Sequence, residues 1–361
     1  QPLLPLLASE FGVSAASASL SVSATTAGLA LMLIPGSVLA DRLGRQQLMK
    51  LALAIAAVLA LATAFAPDFL SLLVLRALLG AVLAGLPAAA MAYIGEEVSP
   101  MAQARAMGLY IAGNALGGMS GRFVGALITD ASSWRTALAV IGVFGLASAV
   151  VFWRRLPASR HFVPRAATPA RILRDALAIY RDPGLPWLFL IAFLAMGAFV
   201  GLYNFLGFRL LEQPYALGQS AIGAIFLLYL VGTWASALSG RLAEHHGRQQ
   251  STWKMVAVMG AGLALTLGQP LWLIVAGVGV FTFGFFAAHA LASGWVGRRA
   301  GERRALASAL YLSSYYLGAS VIGSLAGTAW TAGHWNGLAA LLGACVLGTG
   351  AVALWLRRLP T

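Results

Sequence analysis

Two arginines interrupt stretches of this chain that are otherwise apolar: Arg76 in LVLRALLGAVLAG and Arg122 in GNALGGMSGR. A guanidinium group keeps its charge in any protein setting and binds carboxylates or phosphates through paired hydrogen bonds. Two of them at one depth could hold an anion; the alternative is that each pairs internally with carbonyls or snorkels to the surface. The other polar or amphipathic groups in apolar surroundings are Asn114, Tyr203, Asn204, Tyr229, Trp234, His289, Tyr311, Tyr315 and Tyr316. Tyr311 and Tyr315 are four apart and so share a helical face. Aromatic rings around a few polar groups suit a mid-sized amphipathic organic molecule, although each ring taken singly also serves as packing. His289 could relay protons as a neutral imidazole, or be a hydrogen-bonded structural residue.

Other chemistries lack the residues they need. There is no HExxH-type metal cluster, and no nucleophile stands with a base inside an apolar stretch, so an enzyme is not expected. His245 and His246 are adjacent and therefore point to different helix faces. The lone cysteine, Cys345, allows neither an internal disulfide nor a thiolate metal site.

The elements that must position these groups follow from composition. The chain is 60% hydrophobic and only 10% charged, which cannot cover a soluble domain with a polar surface. Eleven apolar stretches of spanning length run approximately 18 to 40, 48 to 66, 69 to 95, 104 to 128, 135 to 153, 187 to 211, 220 to 243, 252 to 268, 270 to 296, 304 to 329 and 336 to 356. Their continuity, rich in Leu and Ala, predicts helices rather than the alternating strands of a barrel. Arg76 then lies roughly 10 Å inside its stretch, at about 1.5 Å per residue from Phe69, and Arg122 lies at a similar depth in the next one.

A net charge of +13 would suggest nucleic acid in a soluble protein, but the charges sit at the ends of alternate loops. Those loops hold Arg42, Arg45 and Lys50; Arg105; Arg154 through Arg181; Arg241, Arg248 and Lys254; Arg298 through Arg304; and Arg357 with Arg358. Only Arg135 and Arg209 lie near the opposite set. The positive-inside rule places the basic loops and both termini in the cytoplasm. Anionic lipid headgroups suffice as partner for the charge, and no nucleic acid is expected.

The chain repeats itself. GRQQ begins at Gly44 and again at Gly247, 203 residues later, and the only two lysines, Lys50 and Lys254, follow at nearly the same offset. Residues 154–186, rich in arginine and proline, form the linker between residues 1–153 and 187–361, and Thr168 with Pro169 predicts the start of a short interfacial helix. The offset sets Gln1 opposite Asn204. About 17 residues of a first helix are therefore expected to precede Gln1, making twelve helices as two six-helix bundles, and a carboxylate proton carrier could lie among them.

SVLADRLGRQQ from Ser37 and GRLAEHHGRQQ from Gly240 resemble the paired loop signatures of the major facilitator superfamily, and the resemblance extends over essentially the whole chain. It implies an all-α membrane protein with a central site lined by helices 1, 4, 7 and 10 and flanked by 2, 5, 8 and 11. It also implies a cytoplasmic gate. Asp41 would accept from the N-terminal amides of helix 11 near Arg304, Arg42 and Arg45 would pair with Glu96 or Glu97, and Glu244 and Arg248 would repeat the pattern. GNALGGMSGR is similar to the glycine-rich signature of antiporters, with Gly118 where proline is frequent and Arg122 where glycine is. That segment and the stretch from Tyr203 to Trp234 resemble the YnfM-type branch of inner-membrane efflux transporters. The expectation is a monomer in the bacterial inner membrane, embedded in the lipid bilayer. It would exchange a small-molecule substrate for protons by alternating access, with no cofactor beyond the proton gradient. The alternatives are uptake of a small organic anion by proton symport and, more remotely, a non-transporting receptor.

Overall fold

The computed structural model describes residues 1–162 and 168–359; Pro164 and Arg165 of the linker lie outside them. The described residues fold into helices: α1 Leu4–Glu10, α2 Ala15–Leu43, α3 Arg45–Thr63, α4 Phe69–Leu83, α5 Leu86–Glu97, α6 Pro100–Ala131, α7 Trp134–Arg155, α8 Pro169–Tyr180, α9 Leu185–Leu211, α10 Gln219–Ile225, α11 Tyr229–His246, α12 Arg248–Leu265, α13 Leu271–Arg299 and α14 Arg304–Leu356. Short 3-10 turns at Phe226–Leu228 and Gly301–Arg303 join neighbours.

Eight spans among the described residues are long and apolar enough to cross a membrane. α6, diluted by Arg105, Arg122 and its glycines, and the more polar α12 fall outside that set but pack in the same array. α14 holds two of the expected stretches in one run, broken where His334 adopts φ 46°. With these the eleven stretches are all present. Two of them are not continuous as expected. The span 69–97 breaks before Pro87, which supplies no amide hydrogen for the helix ladder, and the span 219–246 tightens into a 3-10 turn at Phe226–Leu228.

The repeat is visible in the packing. In the first half α4 packs on α2 and α3, and α7 on α3; in the second, α13 packs on α11 and α12, and α14 on α12. The contact between α2 and α4 is close because Gly80 lies against the Thr25 carbonyl, where any β-carbon would collide with backbone. The two GRQQ glycines end their helices in the same way, Gly44 at φ 94°, ψ 142° and Gly247 at φ 75°, ψ 154°, conformations an L side chain strains to adopt. The halves meet along two seams. α2 runs along α14, with Ser320 Oγ donating to the Ser23 carbonyl at 3.0 Å, and α6 packs on α10, with Gly223 against Ala126.

The linker helix α8 forms as expected, with the Thr168 hydroxyl accepting from the Arg171 amide. Past its end Asp182 caps α9, accepting from the amides of Gly184 at 2.8 Å and Leu185 at 2.9 Å, and it also takes a 2.5 Å bond from Arg299.

Candidate functional site

Arg122 projects from α6 into the seam with the second half. Its Nε donates to the Gln1 side-chain oxygen at 2.9 Å and its Nη1 to the Gly118 carbonyl at 2.5 Å. The guanidinium carbon lies 5.3 Å from the ring centre of Tyr229 and 5.9 Å from that of Phe226. A cation held at that range of ring faces is attracted by about 0.5–2 kcal/mol, more as water is excluded. Gln1 extends the connection, its Nε2 donating to Asn204 Oδ1 at 2.9 Å. Arg76 on α4 stands within electrostatic reach of Arg122, and its buried Nε has no hydrogen-bond partner among the described residues.

Opposite the arginines, the second half presents an aromatic wall. Residues 281, 285 and 289 of α13 are spaced by four, as are 311 and 315 of α14, so each set falls on one helical face. Phe199 stacks on Phe285 at 4.1 Å, Tyr203 meets Tyr229 at 5.2 Å, and Tyr229 meets Phe286 at 5.8 Å. Deeper along the wall His289 lies 4.7 Å from the Tyr315 ring, its Nδ1 2.9 Å from the Tyr311 hydroxyl; Tyr316 contacts Tyr315 edge-on. The buried Tyr203 hydroxyl is paired with Thr282 at 2.8 Å.

Of the residues singled out in the sequence, the structure brings Arg76, Arg122, Tyr203, Asn204, Tyr229, His289, Tyr311 and Tyr315 together. Two expected members are not gathered. Trp234 is 63% exposed and touches Phe283, on the side of α13 away from the wall. It lies five positions after Tyr229, which turns it to another face of α11. Asn114 is exposed on α6 and makes no hydrogen bond among the described residues. Thr282, Phe226 and Gln1 join the site unanticipated; a lone hydroxyl in the apolar run VFTFGFF is the available signal for Thr282.

The basic end differs from the gate expected there. Arg45 pairs with Glu96 at 3.3 Å, as anticipated, and also with Asp41, four residues earlier across the Gly44 turn. Asp41 thus spends its charge inside its own loop rather than on the start of α14, because Gly44 turns the chain so that α3 begins beside it. Glu97 pairs with neither Arg42 nor Arg45. It accepts from Ser159 Oγ at 2.8 Å and from the amides of Arg160 at 2.7 Å and His161 at 2.8 Å, fastening α5 to the chain after α7. Arg42 and Glu244 are exposed, and the Arg248 guanidinium lies against Gly294 of α13. Among the described residues, an acid bridges the halves at the opposite end, where Asp130 of α6 accepts from the Ser220 hydroxyl at 2.5 Å and the Ser220 amide at 3.2 Å.

Comparison with known proteins agrees with this architecture. The family model of the Major Facilitator Superfamily matches residues 1–252. The chain is 44% identical to the inner membrane transport protein YnfM of Escherichia coli K12, over 95% of this chain and 82% of that protein. It is 41% identical to the uncharacterised MFS-type transporter YybF of Bacillus subtilis, over 99% of this chain and 87% of that one. Among solved structures, a point mutant of the nucleoside transporter NupG superposes with a TM-score of 0.81 at 15% identity, covering 99% of this chain and 94% of that one. A bacterial homologue of the lysosomal transporter Spinster, inward-facing and unoccupied, superposes with a TM-score of 0.79 at 18% identity, covering 99% and 92%. The fold and the relatives agree: this chain is a multi-pass membrane transporter, not an enzyme, and belongs to the major facilitator superfamily.

Proposed function

We propose that the protein exports a small organic molecule in exchange for protons. Residues 1–153 and 187–361 rock against each other about the site that holds Arg122 and Tyr229. The observation that carries this reading is the seat of Arg122: a cation from one half resting on aromatic rings of the other. A molecule bound there touches both halves at once, so its binding free energy can differ between the two orientations of the halves, which alternating access requires. Exchange is favoured by the glycine-rich segment Gly113–Arg122, which resembles the antiporter signature. The His289–Tyr311 pair offers a proton-exchanging group within the wall. The basic ends then face the cytoplasm of a bacterial inner membrane, with both termini on that side, and a monomer suffices.

Flux into proteoliposomes under an imposed pH gradient tests the reading, using three naphthalene probes: a sulfonate, a neutral sulfonamide and a trimethylammonium. An acidic lumen should drive accumulation of at least one probe, and an alkaline lumen should not. Accumulation driven by protons entering with the probe would make the protein an importer. No gradient-dependent movement of any probe would remove the proton-exchange reading.

A further inference from the structure

The polar groups of the site form a layer rather than a scatter. Arg76, Arg122, Asn204 and Ser23 each lie about two turns inside the ends of α4, α6, α9 and α2 that are remote from the basic loops. α14 joins the same layer at Gly323, where a β-carbon would lie 3.6 Å from Ser23 Oγ and 3.8 Å from Asn204 Nδ2.

Among the described residues, this layer holds buried donors without acceptors. Asn204 is 0% exposed, its Oδ1 already takes a bond from Gln1, and its Nδ2 has no partner among the described residues. Arg76 Nε is in the same condition, and the hydroxyls of Ser21 and Ser23, each able to donate or accept, are buried without partners. No carboxylate contacts either arginine among the described residues, whose ion pairs all lie elsewhere. A buried donor left unmade costs about 1–3 kcal/mol, more when charged, and two like charges in a low-dielectric layer raise each other's cost. An acceptor-rich monoanion would meet both deficits together, whereas a cation would add a third positive charge and a neutral amide would answer only the hydrogen bonding. The Arg122 guanidinium already lies over the Tyr229 and Phe226 rings, so the donors sit at an aromatic border against which a substrate ring could pack once the guanidinium turns to its anion.

We infer that the substrate is a small aromatic anion, a carboxylate or sulfonate, whose charged head is held by Arg122 and Arg76 with Asn204 Nδ2 as the neutral donor, and whose ring lies along Tyr229 and Phe226. This rests on the transport reading above but concerns binding alone, so it stands or falls without any flux.

Calorimetric titration of the purified full chain in detergent tests it with the same three probes. The sulfonate should bind about tenfold or more tighter than the matched sulfonamide, and the trimethylammonium should bind more weakly still. Arg122→Gln should abolish the preference for the sulfonate, while Arg122→Lys, which keeps the charge, should retain part of it. Thermal melting of each variant separates lost binding from lost folding, and the lysine variant keeps the test decisive if the glutamine variant does not fold. Equal affinity for sulfonate and sulfonamide, preference for the cation, a sulfonate preference intact in Arg122→Gln, or no binding of the sulfonate would each overturn the inference. Proton exchange with the sulfonamide or the cation would still leave the transporter reading intact.

Discussion

Asp130, at the end of α6, caps a helix in the other half of the molecule: its carboxylate accepts from both the amide and the hydroxyl of Ser220 at the start of α10. The counterpart helix in the first half, α2, is capped by its own Ser14, whereas α10 begins at Gly218 with no side-chain cap of its own. A cap supplied across the seam is available only while the two halves are together at that end.

Removing it should therefore favour opening there. Asp130→Ala is expected to cost the closed arrangement about 1 kcal/mol, a roughly fivefold change in population. With Cys345 replaced by serine, a reporter cysteine at Leu217 should react about fivefold faster with a membrane-impermeant maleimide in the Asp130→Ala background. An unchanged rate would mean that the cap does not hold the seam.

The two matched loop glycines should be intolerant for a backbone reason. Gly44→Ala and Gly247→Ala force a β-carbon into positive φ and are expected to destabilise by about 1–3 kcal/mol each. Gly297→Ala, in an open part of α13, should be neutral or raise stability by up to about 1 kcal/mol. Melting temperatures of the three variants in detergent provide the comparison.

Asp182 should make stability depend on acid. Partial burial raises the pKa of its carboxyl group, but the bond from Arg299 and the amides of Gly184 and Leu185 more than offset this and hold it below the ordinary 3.8. A depressed folded-state value contributes stability above the unfolded pKa and loses it as pH falls through the folded one. The melting-temperature gap between wild type and Asp182→Asn should thus be constant from pH 5 to 7 and narrow below about pH 3.8. A gap that widens on acidification would contradict the assignment.

Tyr311→Phe removes the hydroxyl facing His289 Nδ1 while keeping the ring in the wall. The expected stability loss is about 1 kcal/mol. If the pair exchanges protons, gradient-driven accumulation should fall in Tyr311→Phe and in His289→Ala while exchange of labelled for unlabelled probe persists. Equal loss of both activities would make the pair structural.

How much of this is legible in the sequence depends on whether a residue's own helix fixes its place. The ends at Gly44 and Gly247, the break before His334 and the capping of α8 by Thr168 are local, and all are readable. The rotation of a helix within the bundle is not. Neither α11 nor α13 has one distinct apolar face, so periodicity cannot tell that Tyr229 turns inward while Trp234 turns to Phe283. Asp41 is misplaced by its motif because helix amides and a cation compete for one carboxylate, and the nearer partner, Arg45 just across the Gly44 turn, wins. Asp130 reads as an ordinary loop acid, since its partner lies 90 residues away across the seam.

The most direct test of the account places a pH-sensitive dye inside proteoliposomes and adds 1-naphthalenesulfonate outside, a probe that carries no proton of its own. Exchange at the Arg122 seat predicts that the lumen becomes alkaline as protons leave, and that Arg122→Gln, folded by its melting curve, abolishes the response. Acidification of the lumen, no change in wild type, or a full response in the variant would contradict it.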